Sequence, residues 1–285
     1  MNRLDAPIGV FDSGVGGLTV LKALVTQLPG ERFVYLGDTA RLPYGTKSPE
    51  TVVRYARQAA QALAGYGVKC LVIACNTASA VGLTAVSELI RDVPVIGVIE
   101  PGAEAACLAS RSGHIAVIGT EGAVRGGAYQ DAIVRRRSDA RVSAVPAQLF
   151  VALAEEGLCR GPITDSVARH YLEPIFNSPT GVSRPDTLVL GCTHFPMLAD
   201  CIRAVAGSGV AIVDSAATTA RYVRQTLEAE NLVSRAGETN LPTLCGLREA
   251  DLRLLATDAA DRFARIGSRF LERPILPHEV ELIDL

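Results

Sequence analysis

Two cysteines in this chain stand where a thiol can do chemistry. The run Leu71-Val-Ile-Ala-Cys-Asn-Thr77 is a short apolar segment that stops at a thiol followed by two hydrogen-bonding side chains, and Leu188-Val-Leu-Gly-Cys-Thr-His194 repeats the pattern. Asn76 or Thr77 suits the start of a helix, so Cys75 is expected near the positive end of that helix's dipole, where thiol pKa values fall. Pro196 suits the first turn of another helix and places Cys192 in the same way, with His194 two residues on to tune or relay its proton. Each cysteine taken alone is as easily a small core residue. Cys192 with His194 would also suit a cysteine hydrolase. Only as a pair do the two thiols suggest a site with one reactive group on each side.

Other apolar runs also end in chemistry-bearing residues. Ile8-Gly-Val-Phe-Asp-Ser-Gly-Val-Gly-Gly-Leu-Thr19 delivers Asp12 and Ser13 into a glycine-rich turn. The G-x-G-x-x-G spacing fails at Thr19 and no Gly-Lys-Ser/Thr closes the turn, which disfavours a nucleotide. Asp12 as a plain helix cap remains open. Gly37 to Ser48 is a polar connection in which Pro43-Tyr44-Gly45 could present backbone N–H groups to a carboxylate. His114-Ile-Ala-Val-Ile-Gly-Thr120 ends at a candidate substrate contact, Thr120. Glu155 and Glu156 lie just before Gly157 and read equally as an exposed helix end.

The elements that must position these residues alternate in the manner of an α/β protein with mainly parallel sheets covered on both faces. Strands are expected at Ile8 to Phe11, Phe33 to Leu36, Cys70 to Ala74, Val95 to Val98, Ile115 to Ile118, Arg141 to Val145, Leu188 to Leu190 and Ala211 to Val213. Helices are expected between them, including Ala123 to Arg137 and Phe195 to Ala206. The tail is expected to hold a strand near Leu241 to Leu247 and a helix from Ala250 to Ile266. Ile96 to Pro101 reads as a hinge, with a second sheet beginning around Pro94.

With 285 residues and 48% hydrophobic content the chain can bury two cores. A net charge of -2, with acids and bases interspersed, gives no field for nucleic acid or an acidic membrane. No signal peptide is read at the N-terminus, and no apolar run reaches the roughly 18 residues that cross a bilayer, so a cytoplasmic location is expected. Seven scattered cysteines without C-x-x-C pairs suggest neither disulfides nor a zinc site.

Assembled, the motifs Phe-Asp-Ser-Gly-Val-Gly-Gly-Leu from Phe11, Pro-Tyr-Gly-Thr-Lys-Ser from Pro43, Ala-Cys-Asn-Thr-Ala from Ala74 and Gly-Cys-Thr-His-Phe-Pro from Gly191 resemble the glutamate racemases of the aspartate/glutamate racemase superfamily. They occur in that family's order over most of the chain. The resemblance implies two similar α/β domains with the site in the cleft between them: residues 1–97 plus 210–285 as a discontinuous first domain and 98–209 as the second. It also implies Cys75 and Cys192 as acid/base thiols, assisted by Asp12, His194 and Glu155, with Glu156 one residue away as the alternative to the last. Asp12, Ser13, Pro43, Tyr44, Gly45, Asn76, Thr77, Thr120, Thr193 and His194 become substrate-binding candidates. The chain departs from the family at Pro146-Ala147-Gln148-Leu149-Phe150, often Ala-Cys-Pro-Leu-Phe, and at Ala123, often threonine.

Inverting an amino acid's Cα takes a proton from one face and returns one to the other, which two opposed thiols can do and a single base cannot easily do. The Cα proton is far less acidic than a thiol, and each unmatched pKa unit adds about 1.36 kcal/mol. Backbone N–H groups, hydroxyls and the retained ammonium in a water-excluded cleft must therefore meet the developing charge. A pyridoxal enzyme would need a Schiff-base lysine, and Lys22, Lys47 and Lys69 close no strand. No cofactor and no metal are expected. The implied partner is the small molecule glutamate, and a homodimer is left open. An aspartate racemase, the Cys-His hydrolase and a silent amino-acid-binding module are the competing readings.

Overall fold

A computed structural model describes residues 3–177, 184–234 and 251–285. Two parallel sheets organise them. The first, in spatial order, is β10 (Val280–Leu282), β9 (Leu252–Ala256), β2 (Phe33–Gly37), β1 (Ile8–Asp12), β3 (Cys70–Ile73) and β4 (Val95–Gly97). The second runs β6 (Arg141–Pro146), β5 (His114–Gly119), β7 (Thr187–Gly191) and β8 (Ala211–Asp214). Each pairing in both sheets is parallel. Strands β1, β2, β3, β5 and β7 are buried throughout, as the near-continuous apolar runs of doubly covered parallel strands require.

The two sheets share one winding pattern. In both, the second strand in sequence lies on one side of the first, and the third and fourth lie on the other. The chain therefore reverses its winding between β1 and β3, and again between β5 and β7. Such switch points leave a crevice at the strands' carboxyl ends, because the crossover helices diverge there. Asp12 and Cys75 stand at the first crevice, Thr120 and Cys192 at the second.

Helices α1 (Leu18–Gln27), α2 (Pro49–Gly65) and α3 (Asn76–Leu89) cover the first sheet with α11 (Ala260–Leu271). The start of α2 shows how the sequence writes such an element. Ser48 accepts a hydrogen bond from the Thr51 N–H at 3.4 Å, Pro49 occupies the first turn, and Val52, Ala56, Ala59, Ala60 and Leu63 form the buried stripe. Around the second sheet lie α4 (Ile99–Ala109), α5 (Glu121–Arg125), α6 (Ala128–Arg136), α7 (Leu149–Glu156), α8 (Pro162–Phe176) and α9 (Ala199–Ala206). Helix α10 (Ser215–Ala229) packs on α1 and α4, and the chain then returns through β9 and β10 to the edge of the first sheet. One buried apolar cluster runs unbroken from Leu18 and Leu21 of α1 to Phe150, Leu188 and Phe195 of the second unit. Among the described residues, no helix is long and apolar enough to cross a membrane.

Several expectations change. Val95–Gly97 is the outer strand of the first sheet, not the start of a second, because it pairs with β3. Ala211–Asp214, placed by the sequence in the discontinuous first domain, pairs with β7 in the second sheet. The expected helix from Ala123 to Arg137 is two helices, broken at Gly126–Gly127 where Gly127 takes φ 69°. The expected helix from Ala250 is strand β9 followed by α11, since Leu252–Ala256 completes the ladder along β2. The strand expected near Leu241 to Leu247 lies outside the described residues.

Candidate active site

Cys75 is itself the N-cap of α3, its Sγ accepting from the Ala78 N–H at 3.5 Å and donating to Ser13 Oγ at 3.7 Å. The helix start is where the sequence placed it, but the electrostatic consequence is the opposite of the one expected. Complete burial and the neighbouring Asp12 carboxylate outweigh the Ala78 N–H, and the Cys75 thiol is pushed up to about 12. Asp12 is no helix cap. Its Oδ2 accepts from the Gly14 N–H at 3.0 Å, its Oδ1 is buried without a partner among the described residues, and burial raises its carboxyl pKa.

The second thiol has different company. Cys192 Sγ lies 3.8 Å from His194 Nδ1, whose Nε2 lies 3.2 Å from Glu155 Oε1, while Arg262 Nη2 donates to Glu155 Oε2 at 2.9 Å. Glu155 is thus the carboxylate bonded to His194, and Glu156 is exposed to solvent. The hydrogen bond to His194 holds the Glu155 carboxyl below its usual range. Burial alone would lower the His194 pKa, but its bonds to Cys192 and Glu155 prevail and raise it to about 10. The expected α-helix after Cys192 is a 3-10 turn over Phe195–Leu198, with α9 starting only at Ala199. The dipole expected there is replaced by an imidazole.

The substrate-binding candidates line the seam between the sheets. Thr77 Oγ1 and Thr120 Oγ1 share a 2.9 Å hydrogen bond across it, and Thr120 also caps α5 through the Ala123 N–H at 3.3 Å. Thr193 offers its carbonyl oxygen to Thr19 Oγ1 of α1 at 2.9 Å. Asn76 accepts at Oδ1 from the Tyr129 hydroxyl at 2.8 Å, while its buried Nδ2 has no partner among the described residues. The Tyr44 side chain is turned away, its hydroxyl bonded to the buried Asp38 carboxylate that also takes Arg41 Nε at 2.7 Å and Thr257 Oγ1 at 2.9 Å. What the Tyr44–Thr46 turn brings to the seam is backbone, with Pro43 exposed beside it.

The glycines of the first turn are more than turn formers. A Cβ on Gly16 would stand 2.4 Å from His194 Cε1 and from Thr193 Oγ1, and one on Gly45 would stand 2.8 Å from Thr120 Cβ. Only glycine lets the two strand-end crevices meet this closely. Sequence reasoning missed Tyr129, Thr19, Asp38 and Arg262. Tyr129 and Thr19 read as ordinary helix residues, whereas Asp38 in its polar loop carried a detectable signal. A separate cavity of about 560 Å³, lined by Arg32, Tyr66, Arg253 and Arg273, opens at the strands' amino ends, away from both thiols. Among the described residues, no group of three or more His, Cys, Asp or Glu side chains could hold a metal ion.

A thiol at the switch point of each of two like-wound sheets suits an amino-acid racemase, an isomerase, and the chain's similarity to known proteins defines that class. The chain belongs to the Asp/Glu/Hydantoin racemase family, whose model matches residues 8–223. Within that family the chain is similar over its length to glutamate racemases. That of Geobacter metallireducens is 47% identical over 93% of this chain and 92% of its own, and that of Koribacter versatilis 45% identical over 100% and 99%. The crystal structure of the Francisella tularensis glutamate racemase in complex with D-glutamate superposes with a TM-score of 0.85 at 33% identity, covering 99% of this chain and 98% of that one.

Proposed function

We propose that the protein interconverts L- and D-glutamate without a cofactor, by a two-base proton transfer between Cys75 and Cys192, and that in the cytoplasm it supplies D-glutamate for peptidoglycan. The observation that carries the mechanism is the pair of thiols at equivalent strand ends of two sheets with the same winding, at a seam where Asp12 Oδ1 and Asn76 Nδ2 are buried with no partner among the described residues. Glutamate is favoured as substrate because the relatives at 45% and 47% identity are glutamate racemases.

In this mechanism the amino acid sits between the crevices. Asp12 receives the ammonium, an ion pair that would stabilise the carboxylate against burial. Asn76 Nδ2, the Thr77, Thr120 and Thr193 hydroxyls and the backbone at Gly45 receive the carboxylates. One thiolate takes the Cα proton from one face, and the opposing thiol gives its proton to the other face, so the proton count is unchanged and only its placement is exchanged. The protonated His194 imidazole faces Cys192 through both half-reactions, with Glu155 holding the ring. Donors fixed in a dry seam meet the charge that develops on the carboxylate as the proton leaves.

Optical rotation of purified protein with L-glutamate, and separately with L-aspartate, tests the assignment. Rotation is expected to decay to zero with glutamate, and in heavy water the product should carry deuterium at Cα. Decay with aspartate alone would transfer the protein to the competing substrate.

A further inference from the structure

The Asn76 amide has two arms, and the structure accounts for one of them. Its Oδ1 accepts from Tyr129, and its Nδ2 is buried with no partner among the described residues. Tyr129 belongs to α6, on the far side of the seam from Asn76, and is 1% exposed. The ring has little freedom. A Cβ placed on Gly102 of α4 would stand 3.0 Å from its Cε1, and one placed on Gly191 would stand 3.0 Å from its Cε2. Gly191 immediately precedes Cys192, as Cys75 immediately precedes Asn76. One side chain is therefore clamped beside one thiol and bonded beside the other.

The hydroxyl's protonation state decides what that bond does. Burial, reinforced by the neighbouring Cys192 and Asp214, drives the Tyr129 pKa far above its ordinary value, so the oxygen keeps its proton and must donate it. The acceptor it has is Asn76 Oδ1. Turning the amide over would leave the tyrosine proton without an acceptor and aim a carbonyl oxygen at the substrate. Both effects oppose the turn, since a buried polar group left without a partner is destabilising.

We propose that Tyr129 is a positioning residue that fixes the Asn76 amide with Nδ2 directed at a substrate carboxylate, and so sets the site's preference for an anionic group there. The proposal rests on the racemase reading. Tyr129 touches no reacting atom and acts through Asn76.

A double-mutant cycle tests it. Tyr129→Phe keeps the ring and its packing and removes only the donor. It is expected to raise KM for glutamate about 5- to 20-fold with a smaller change in kcat. Asn76→Ala should raise KM at least as much, and adding Tyr129→Phe to it should change KM no further. Effects that multiply in the double variant, or an unchanged KM in Tyr129→Phe, would overturn the proposal. If wild-type protein racemises no glutamate, the racemase reading has failed instead, and the cycle is not reached. Should Tyr129→Phe not fold, as judged by its thermal melt, a structure of the wild-type protein with glutamate decides. Asn76 Oδ1 on Tyr129 with Nδ2 within hydrogen-bond distance of a carboxylate oxygen supports the assignment, and the carboxylate bound elsewhere defeats it.

Discussion

The Cys75 and Cys192 crevices are alike in topology and unlike in electrostatics. Each thiol follows the third strand of a sheet wound in the same order. Cys75, however, is buried beside Asp12, and burial first and that carboxylate second push its thiol up to about 12 against the hydrogen bonds of Ala78 and Ser13. Cys192 faces His194, which is raised to about 10 and backed by Glu155 and Arg262. The fold supplied equivalent places, and the neighbours made them different. A two-base reaction needs one thiol protonated and the other ionised at any moment, and the two exchange those states at each turnover. Glutamate's enantiomers have equal free energy, so kcat/KM must be the same in both directions whatever the site's asymmetry. The inequality of the two sides can show only in how kcat and KM divide.

The largest effect expected is from removing either thiol. Cys75→Ala and Cys192→Ala should each lower the rate of optical-rotation decay by about 10³-fold or more. A variant of one that stays active while the other is dead would turn the pair into a one-thiol site. Next, His194→Asn should cost about 10²-fold in kcat and Ser13→Ala about tenfold, since the first removes a charge beside its thiol and the second a single hydroxyl. Equal losses would erase the contrast between the sides.

The pH profile separates them more finely. His194 carries its proton below about 10, so activity that depends on the imidazolium should fall as pH rises through that value. Glu155 accepts from the ring and raises its pKa, so Glu155→Gln should move the alkaline limb of kcat/KM to lower pH. An unmoved limb would detach Glu155 from His194's titration. The smallest effect is expected from Arg262→Gln. Its guanidinium is 46% exposed, so the change should be no more than about fivefold and should shrink with added salt.

The sequence made the crevices legible because residues at the ends of buried strands carry little packing duty and so display their chemistry. Asp12, Cys75, Thr120 and Cys192 were visible for that reason. What burial does to a charge was not visible. Cys75 at a helix start reads as an acidic thiol until the depth of its site and the closeness of Asp12 are known. Contacts across the seam were also hidden. Tyr129 reads as one more aromatic on an amphipathic helix, and Arg262 as one more solvated charge on α11. Strand β9 was mistaken for helix because Leu252–Ala256 gains its conformation from a ladder with β2, more than two hundred residues earlier.

The chain crosses between the sheets twice, once from β4 into α4 and once from β8 into α10, and those two helices pack against each other. A single tether would let the halves swivel freely. Two adjacent crossings instead define a line, and a rotation about that line resembles the opening of a book along its spine. An opening of the seam would then be a motion in one coordinate, parting Thr77 from Thr120 and Tyr129 from Asn76. Closing along the same coordinate would bring the strand ends that carry Cys75 and Cys192 back into register, a registration set by the connectivity of the backbone.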